Sequence, residues 1–410
     1  MSRALLVEMG RRTLAHAKAG TSPLADSVME VPSELYYDRE RWEQEMRQIF
    51  RRVPLVLGFS AELPEPGAYR ALTVSGVPIL LVRGSDGVVR SFVNMCSHRG
   101  AIVVEEGNGK ARRFACPYHA WTYDDGGALV GSRGQAMFGE IDTDAHGLTP
   151  LACEERSGLV FGTITPGVEL HLDEFLCGYD GLLAHHRFDE CHFVGRQSLD
   201  GPNWKVAFDG YIDQYHLPVL HREGFGEEYC DRAAYDAWGP HQRMSPPDAR
   251  FLVLDDVAED EWDTVALLGG IWTVFPHVSI ANFRLPPRPD RPDDALGGRI
   301  YMISQLLPGD DPDTSHTIQN FFTTFEPDDI DLQAIEAQKE FLMHVVRDQD
   351  YYTGLRIQKA VKTGAKDHFL YGRNELGGQR FHSWVQDLVD ARGEDAYMSL
   401  LAGAEVDLQQ

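Results

Sequence analysis

Two short stretches constrain this chain more than anything else in it: "NMCSHRG", starting at Asn94, and "ACPYHAW", starting at Ala115. Each carries one cysteine and one histidine, as Cys96-x-His98 and Cys116-x2-His119, and seventeen residues separate the two pairs. That spacing suits a β hairpin with both pairs in loops at one end, so the loops converge on one point. A structural zinc finger would more often group two cysteines in one loop and two histidines on a helix. Here the loops follow strand patterns, and Gly100 and Pro117 favour exposed backbone amides that can hydrogen-bond to sulfur. The fold must therefore bring two β loops together around a metal centre.

Composition supports metal chemistry over disulfides. Six cysteines in 410 residues are too sparse for a disulfide framework, and Cys153, Cys177, Cys191 and Cys230 read as buried free thiols. Sixty-three acidic against thirty-eight basic side chains give a formal charge of −25, which opposes binding to nucleic acid and to anionic membranes. No apolar run is long enough to span a bilayer. The first twenty residues carry scattered basic residues and no signal-peptide pattern, so a cytoplasmic location is expected.

The length implies two domains or one large one with an insertion. Residues 36–50, "YYDRERWEQEMRQIF", have helical spacing. Then come short strand-like runs, "YRALTVSG", "VPILLVRG" and "VVRSFVNM", separated by glycine turns and continuing to "GLVFGTITPG". From about 170 the pattern is mixed. "IWTVFPHVSIANFRL", "GGRIYMISQLLPG" and "SHTIQNFFTTFEP" read as strands, and a long periodic helix opens near Asp331. "LPPRPDRPDDALGG" (285–298) is expected to be a surface loop. The expected class is α+β: a helical segment over 1–50 packing on the second domain, an antiparallel β domain over 51–168 that holds both Cys/His loops, and over 169–410 an antiparallel sheet surrounded by helices.

A Rieske-type [2Fe–2S] cluster holds one iron by two cysteines and the other by two histidines, so each loop supplies one ligand to each iron. Downstream, "NWKVAFDGYIDQYHLPVLHREGF" contains Asp213, His216 and His221. On a helix Asp213 and His216 share a face, whereas His216 and His221 stand about 140° apart unless Pro218 kinks the helix between them. Two histidines and a carboxylate on one face of an iron make the facial triad of non-heme Fe(II) oxygenases. Asp213 is the carboxylate nearest in sequence.

With "NMCSHRGA" and "CPYHAWTYDDGGAL" as cluster loops, the chain resembles the large (alpha) catalytic subunit of the Rieske non-heme iron aromatic-ring-hydroxylating oxygenases. The resemblance implies that Cys96, His98, Cys116 and His119 hold the cluster, and that His216, His221 and a carboxylate from a late helix hold a mononuclear Fe(II). In "RDQDYYTGLRIQ" the matching carboxylate is Asp350, with Asp348 as the alternative. The resemblance assigns Asp213 to a hydrogen-bonded electron bridge running from His119 of a neighbouring subunit to His216. It implies a homotrimer, or an α3β3 assembly with a small subunit. It also implies electrons from a separate reductase, with or without a ferredoxin, and neither GxGxxG nor a P-loop is present for a nucleotide of the chain's own. Lys110, Arg112 and Arg113 form a basic patch suited to an acidic electron carrier.

The expected substrates are O2 and a small apolar or aromatic molecule, with Phe208, Tyr215, Leu217, Trp272, Phe275 and Phe283 as candidate pocket residues. Dioxygenation of a ring to a cis-dihydrodiol is the leading expectation, and monooxygenation (hydroxylation, or O- or N-demethylation) the alternative. Where the family often has Glu-Asn ahead of the bridging aspartate, this chain has Asp209-Gly210.

Overall fold

The computed structural model describes residues 2–225, 230–284, 299–325 and 331–408. The chain divides into two compact units, Phe50–Leu172 with Phe188–Glu190, and Met1–Ile49 with Asp173–Arg187 and Cys191–Gln410. Among the described residues no helix is long and apolar enough to cross a membrane.

In the smaller unit, Ala68–Val74, Val77–Arg83 and Val89–Val93 pair antiparallel, flanked by Gly107–Lys110 and Pro150–Leu151. Ser75 and Gly76, both at positive φ, close the first hairpin, as a two-residue turn matched to strand twist requires. Arg113–Ala115, Thr122–Asp124 and Leu129–Gly131 form a second sheet, and Leu55–Phe59, Cys153–Arg156 and Leu159–Gly162 a third. The stretch between the two Cys/His pairs is therefore not one hairpin. Gly107–Lys110 pairs with the first sheet and Arg113–Ala115 with the second. The chain changes sheets there because Phe114 and Tyr123, both buried, pack with Leu80, Val82 and Phe92 of the first sheet.

The larger unit is built on one eight-stranded antiparallel sheet. Its order is His192–Gly201, Ser315–Thr323, Arg299–Pro308, Val278–Arg284, Ile271–Val274, His241–Ser245, Ala234–Trp238 and Val406–Leu408. Every residue of Arg299–Pro308 is buried, the signature of a strand covered on both faces. Three of these strands, at 192–201, 234–238 and 241–245, have no clear signal in the sequence. Their buried residues include Asp236, His241, Gln242 and Arg243, which hide the apolar period yet find partners inside. Arg243, for example, donates to the carbonyls of Leu267 (2.6 Å) and Gly269 (3.0 Å).

Helix Trp204–Ile212 lies against the central strands, capped by Asn203, whose side chain accepts from Lys205 N. The long helix begins at Leu332, with the Asp331 side chain accepting from Ala334 N. It is not uniformly α: Leu332–Met343 and Tyr352–Val361 are α, but His344–Tyr351 is π. Val345 and Val346 are buried in the widened stretch, each contributing roughly 1.5–3 kcal/mol. The Pro/Asp-rich stretch expected as a surface loop, 285–298, lies outside the described residues.

Candidate active site: two metal centres

The two cluster loops have the same backbone design. Cys96 N donates to Ala101 O and Gly100 N to Cys96 O; Cys116 N donates to Trp121 O and Ala120 N to Cys116 O. Each loop thus turns at the same place after its cysteine, although the histidine follows Cys96 by two residues and Cys116 by three. Gly100 and Ala120 occupy equivalent positions and both have positive φ, natural for the glycine and strained for the alanine. The thiols are buried and free, while the rings of His98 and His119 stand 4.7 Å apart at 68°. His98 stacks on Trp121 at 4.9 Å, and Tyr118 covers His119 at 3.7 Å.

Two observations test the fit of a cluster. His119 Nδ1 is buried with no hydrogen-bond partner, as befits a nitrogen that binds metal. The Tyr123 hydroxyl lies 3.2 Å from Cys96 Sγ, and burial with that contact lifts its pKa to about 12, so it stays protonated beside sulfur. The other four cysteines are free, their thiols set against backbone carbonyls. Lys110 is paired with Glu65 at 2.6 Å, which neutralises part of the basic patch.

In the larger unit the sequence model of the second site needs one correction. Asp213, His216 and His221 do not share a helix. The helix ends at Ile212, Asp213 is extended, and Leu217–Leu220 is a separate turn with Pro218 in its first positions and His221 at its end. Proline starts a turn there and does not kink a longer one, because at a first helical position its missing N–H costs nothing.

The result brings three ligand atoms together. His216 Nε2 and His221 Nε2 are 3.1 Å apart, and Asp350 Oδ1 lies 2.9 Å from His221 Nε2 and 3.6 Å from His216 Nε2. An octahedral ion with ligands at roughly 2.1 Å spaces neighbouring ligands by about 3.0 Å, so the triangle fits one face of such an ion. Among the described residues this is the one group of three His, Cys, Asp or Glu ligand atoms within 4.8 Å of one another. Asp348 turns away, exposed and engaged by Arg347 and His344.

Each histidine is held from behind. His216 Nδ1 donates to Asp213 Oδ2 at 3.1 Å, and His221 Nδ1 donates to Gln349 Oε1 at 2.7 Å. With a proton held on each Nδ1, Nε2 is the nitrogen that each ring turns toward the triangle. Sequence reasoning missed Gln349. Adjacent residues of an α-helix point about 100° apart, yet Gln349 and Asp350 both reach His221; the π turn, with more residues in each turn, narrows that step. Burial disfavours a charge on His216, but Asp213 and Asp350 outweigh it and raise its pKa to about 9. Burial likewise works against the Asp350 carboxylate, and the two histidines more than offset it, leaving its pKa below the usual value.

A chamber of about 160 Å³ adjoins the triangle, with Leu217, Met244, Phe283, Met302 and Val346 in its wall. Of the expected pocket residues, only Leu217 and Phe283 line it. Phe208, Trp272 and Phe275 are core residues at most 1% exposed, with Phe208 stacked on Phe381, and Tyr215 is 58% exposed. Asp209, on the departure from the Glu-Asn pattern, accepts from the hydroxyls of Tyr36 (3.0 Å) and Tyr371 (2.7 Å) and sits 3.0 Å from His382 Nε2.

Residues 53–140 match the model of the Rieske [2Fe-2S] domain, and residues 188–286 and 294–391 match that of the ring hydroxylating alpha subunit catalytic domain. The carnitine monooxygenase oxygenase subunit of Escherichia coli is 32% identical over 353 residues, 84% of this chain and 87% of that protein. This chain belongs to the Rieske oxygenases, as an alpha subunit. The oxygenase accordingly carries a Rieske [2Fe–2S] cluster and a mononuclear iron.

The glycine betaine monooxygenase oxygenase subunit of Chromohalobacter salexigens is 32% identical over 194 residues, and the match spans only 43% of that protein's length. In fold, the oxygenase resembles the quaternary ammonium Rieske monooxygenase CntA in complex with an inhibitor. The TM-score is 0.73 at 22% identity, over 88% of this chain and 96% of that one. Dioxygenation as the leading chemistry is overturned here, since both relatives bear the names of monooxygenases. The error has a physical origin, because the motifs that identify the metal centres are common to both reactions.

Proposed function

We propose that the oxygenase is the terminal component of a multicomponent Rieske monooxygenase that places one atom of O2 into a C–H bond of a small substrate, by hydroxylation or by oxidative removal of a methyl group. The monooxygenase outcome is supported by the Escherichia coli relative, similar along 87% of its own length. The site assignment is carried by the triangle of His216, His221 and Asp350. In this reading these three residues hold the mononuclear iron, and Cys96, His98, Cys116 and His119 hold the cluster. Iron bound there, supplied with electrons through the cluster, provides the oxygen-activating chemistry.

The protein's own groups do the rest. Asp213 and Gln349 hold protons on the two Nδ1 atoms, keeping both Nε2 atoms free to bind metal. Asp213, hydrogen-bonded to His216, is also the proposed entry for electrons arriving from His119 of a neighbouring subunit in a homotrimer. Leu217, Met244 and Val346 keep water from the reacting carbon. At about 160 Å³ the chamber is close to the ~150 Å³ cavity known to hold one benzene, so the part of a substrate held in it is small. Electrons come from a separate reductase, with or without a ferredoxin.

The test is a single turnover. Chemically reduced, iron-loaded protein is exposed to 18O2 with carnitine, glycine betaine, tertiary amines, methyl ethers and simple arenes, and products are read by mass spectrometry. One labelled oxygen in a hydroxylated product, or loss of a methyl group as formaldehyde (whose oxygen exchanges with water), is expected. A product carrying two labelled oxygens refutes the proposal.

A further inference from the structure

Next to the inner chamber lies a larger cavity of about 590 Å³, and the two share Pro246, Gly270, Asn282 and Phe283 in their walls. The outer cavity differs in chemistry. Arg284 and Arg299 both line it, and they are direct cross-strand partners on neighbouring strands of the central sheet. Like charges facing each other across a strand pair repel.

Arg299 is only 8% exposed, so water relieves little of that repulsion. In a chain with a formal charge of −25, carboxylates are plentiful, and two other buried arginines use them, Arg70 with Glu62 and Arg41 with Glu45, while Arg243 is met by backbone carbonyls. Arg299 instead donates from Nη1 to the neutral Asn282 side chain, and neither it nor Arg284 has an ion-pair partner among the described residues. Asp263 exerts a favourable field on Arg299 without pairing with it, while burial and Arg284 press its pKa down. Among the described residues the pair is left without a counter-charge, which an incoming anion would supply. A planar carboxylate, which a guanidinium can grip with two parallel hydrogen bonds, matches it best.

We propose that Arg284 and Arg299 form a carboxylate subsite, so that this oxygenase takes an elongated substrate with its acid group in the outer cavity and its reacting C–H in the inner chamber. Which end reacts rests on the monooxygenase reading; capture of the anion does not.

Binding to the iron-loaded, cluster-containing protein tests it, by calorimetry with two matched pairs: 4-(dimethylamino)butanoate against its primary amide, and 4-methoxybutanoate against its primary amide. Wild type is expected to bind each acid about ten- to a hundredfold more tightly than its amide. Arg299→Gln and the exposed-site Arg284→Gln should each shrink that ratio, the double variant should bring it to about one, and Arg299→Lys should keep part of it. Far-UV circular dichroism and the thermal midpoint of the larger unit, Met1–Ile49 with Asp173–Arg187 and Cys191–Gln410, report whether each variant has folded. Equal affinity for acid and amide in wild type, no binding of either acid, or a ratio unchanged in a folded Arg284→Gln protein overturns the subsite. A single turnover on any probe that binds separates the two proposals. Acid preference with two labelled oxygens leaves the subsite and removes the monooxygenase reading, and one labelled oxygen without acid preference does the reverse.

Discussion

Replacing Gln349 by alanine probes the second site at a residue that, in this geometry, touches neither metal nor substrate. Its carbonyl accepts the Nδ1 proton of His221 at 2.7 Å, and His221 is 2% exposed, so no water can take over. A buried donor left without an acceptor costs about 1–3 kcal/mol. The ring can escape that cost by moving its proton to Nε2, toward Asp350 Oδ1 at 2.9 Å, but it then presents no lone pair to a metal. Either way, metal binding has to restore the productive tautomer. At 1.4 kcal/mol per factor of ten, apparent affinity falls by roughly 5- to 150-fold, a range that overlaps the 10- to 100-fold typical for losing the partner of a metal-bound histidine.

The assay is Co(II) or Fe(II) titration of metal-stripped protein, with far-UV circular dichroism and the thermal midpoint as the control for folding of the unit that holds Gln349. Gln349→Glu, which keeps an acceptor, should retain most of the affinity. If Gln349→Ala binds metal within about twofold of wild type while its circular dichroism is unchanged, the claim that Gln349 fixes the His221 tautomer is wrong.

Three further outcomes are expected. Asp350→Ala should abolish stoichiometric iron binding, whereas Asp348→Ala, at an exposed position, should change it by no more than about twofold; equal loss in both would move the ligand assignment. Asp213→Ala should keep the cluster colour and lose more than about tenfold in turnover, and full activity in that variant would remove both its hold on His216 and its place in the electron path. His241 is pushed down to about 4 by burial, and its Nε2 donates to Phe175 O at 2.8 Å. It is neutral when folded, and the unfolded chain takes up the proton first. Wild type should therefore lose about 3 kcal/mol relative to His241→Gln as pH falls from roughly 6.5 to 4, with no further relative change below that. Parallel pH profiles of the two thermal midpoints would contradict this.

The two Cys/His pairs, the proposed iron histidines His216 and His221 and the α+β class could be read from the chain alone, because those features are local. A Cys-x-His or Cys-x2-His pair lies within one loop, and strand or helix periods repeat within about ten residues. Asp350 was reached through resemblance, and periodicity alone could not separate it from Asp348 without knowing which face of the helix meets His221. Three strands of the central sheet went unseen because polar residues interrupt their apolar period and meet groups far away in sequence, as Gln242 Nε2 meets Gly377 O.

Tertiary structure decided the rest. The π turn at 344–351 arises inside a helix whose sequence period looks regular, and it sets Gln349 and Asp350 on opposite sides of one imidazole. The pairing of Arg284 with Arg299 depends on register across a sheet. Sequence determines which chemical groups a chain possesses and the short-range turns that hold neighbours together. Which distant groups share a cavity, and which charges are left without a partner, is settled only when the whole core packs, since burial removes the water that would otherwise satisfy any of them.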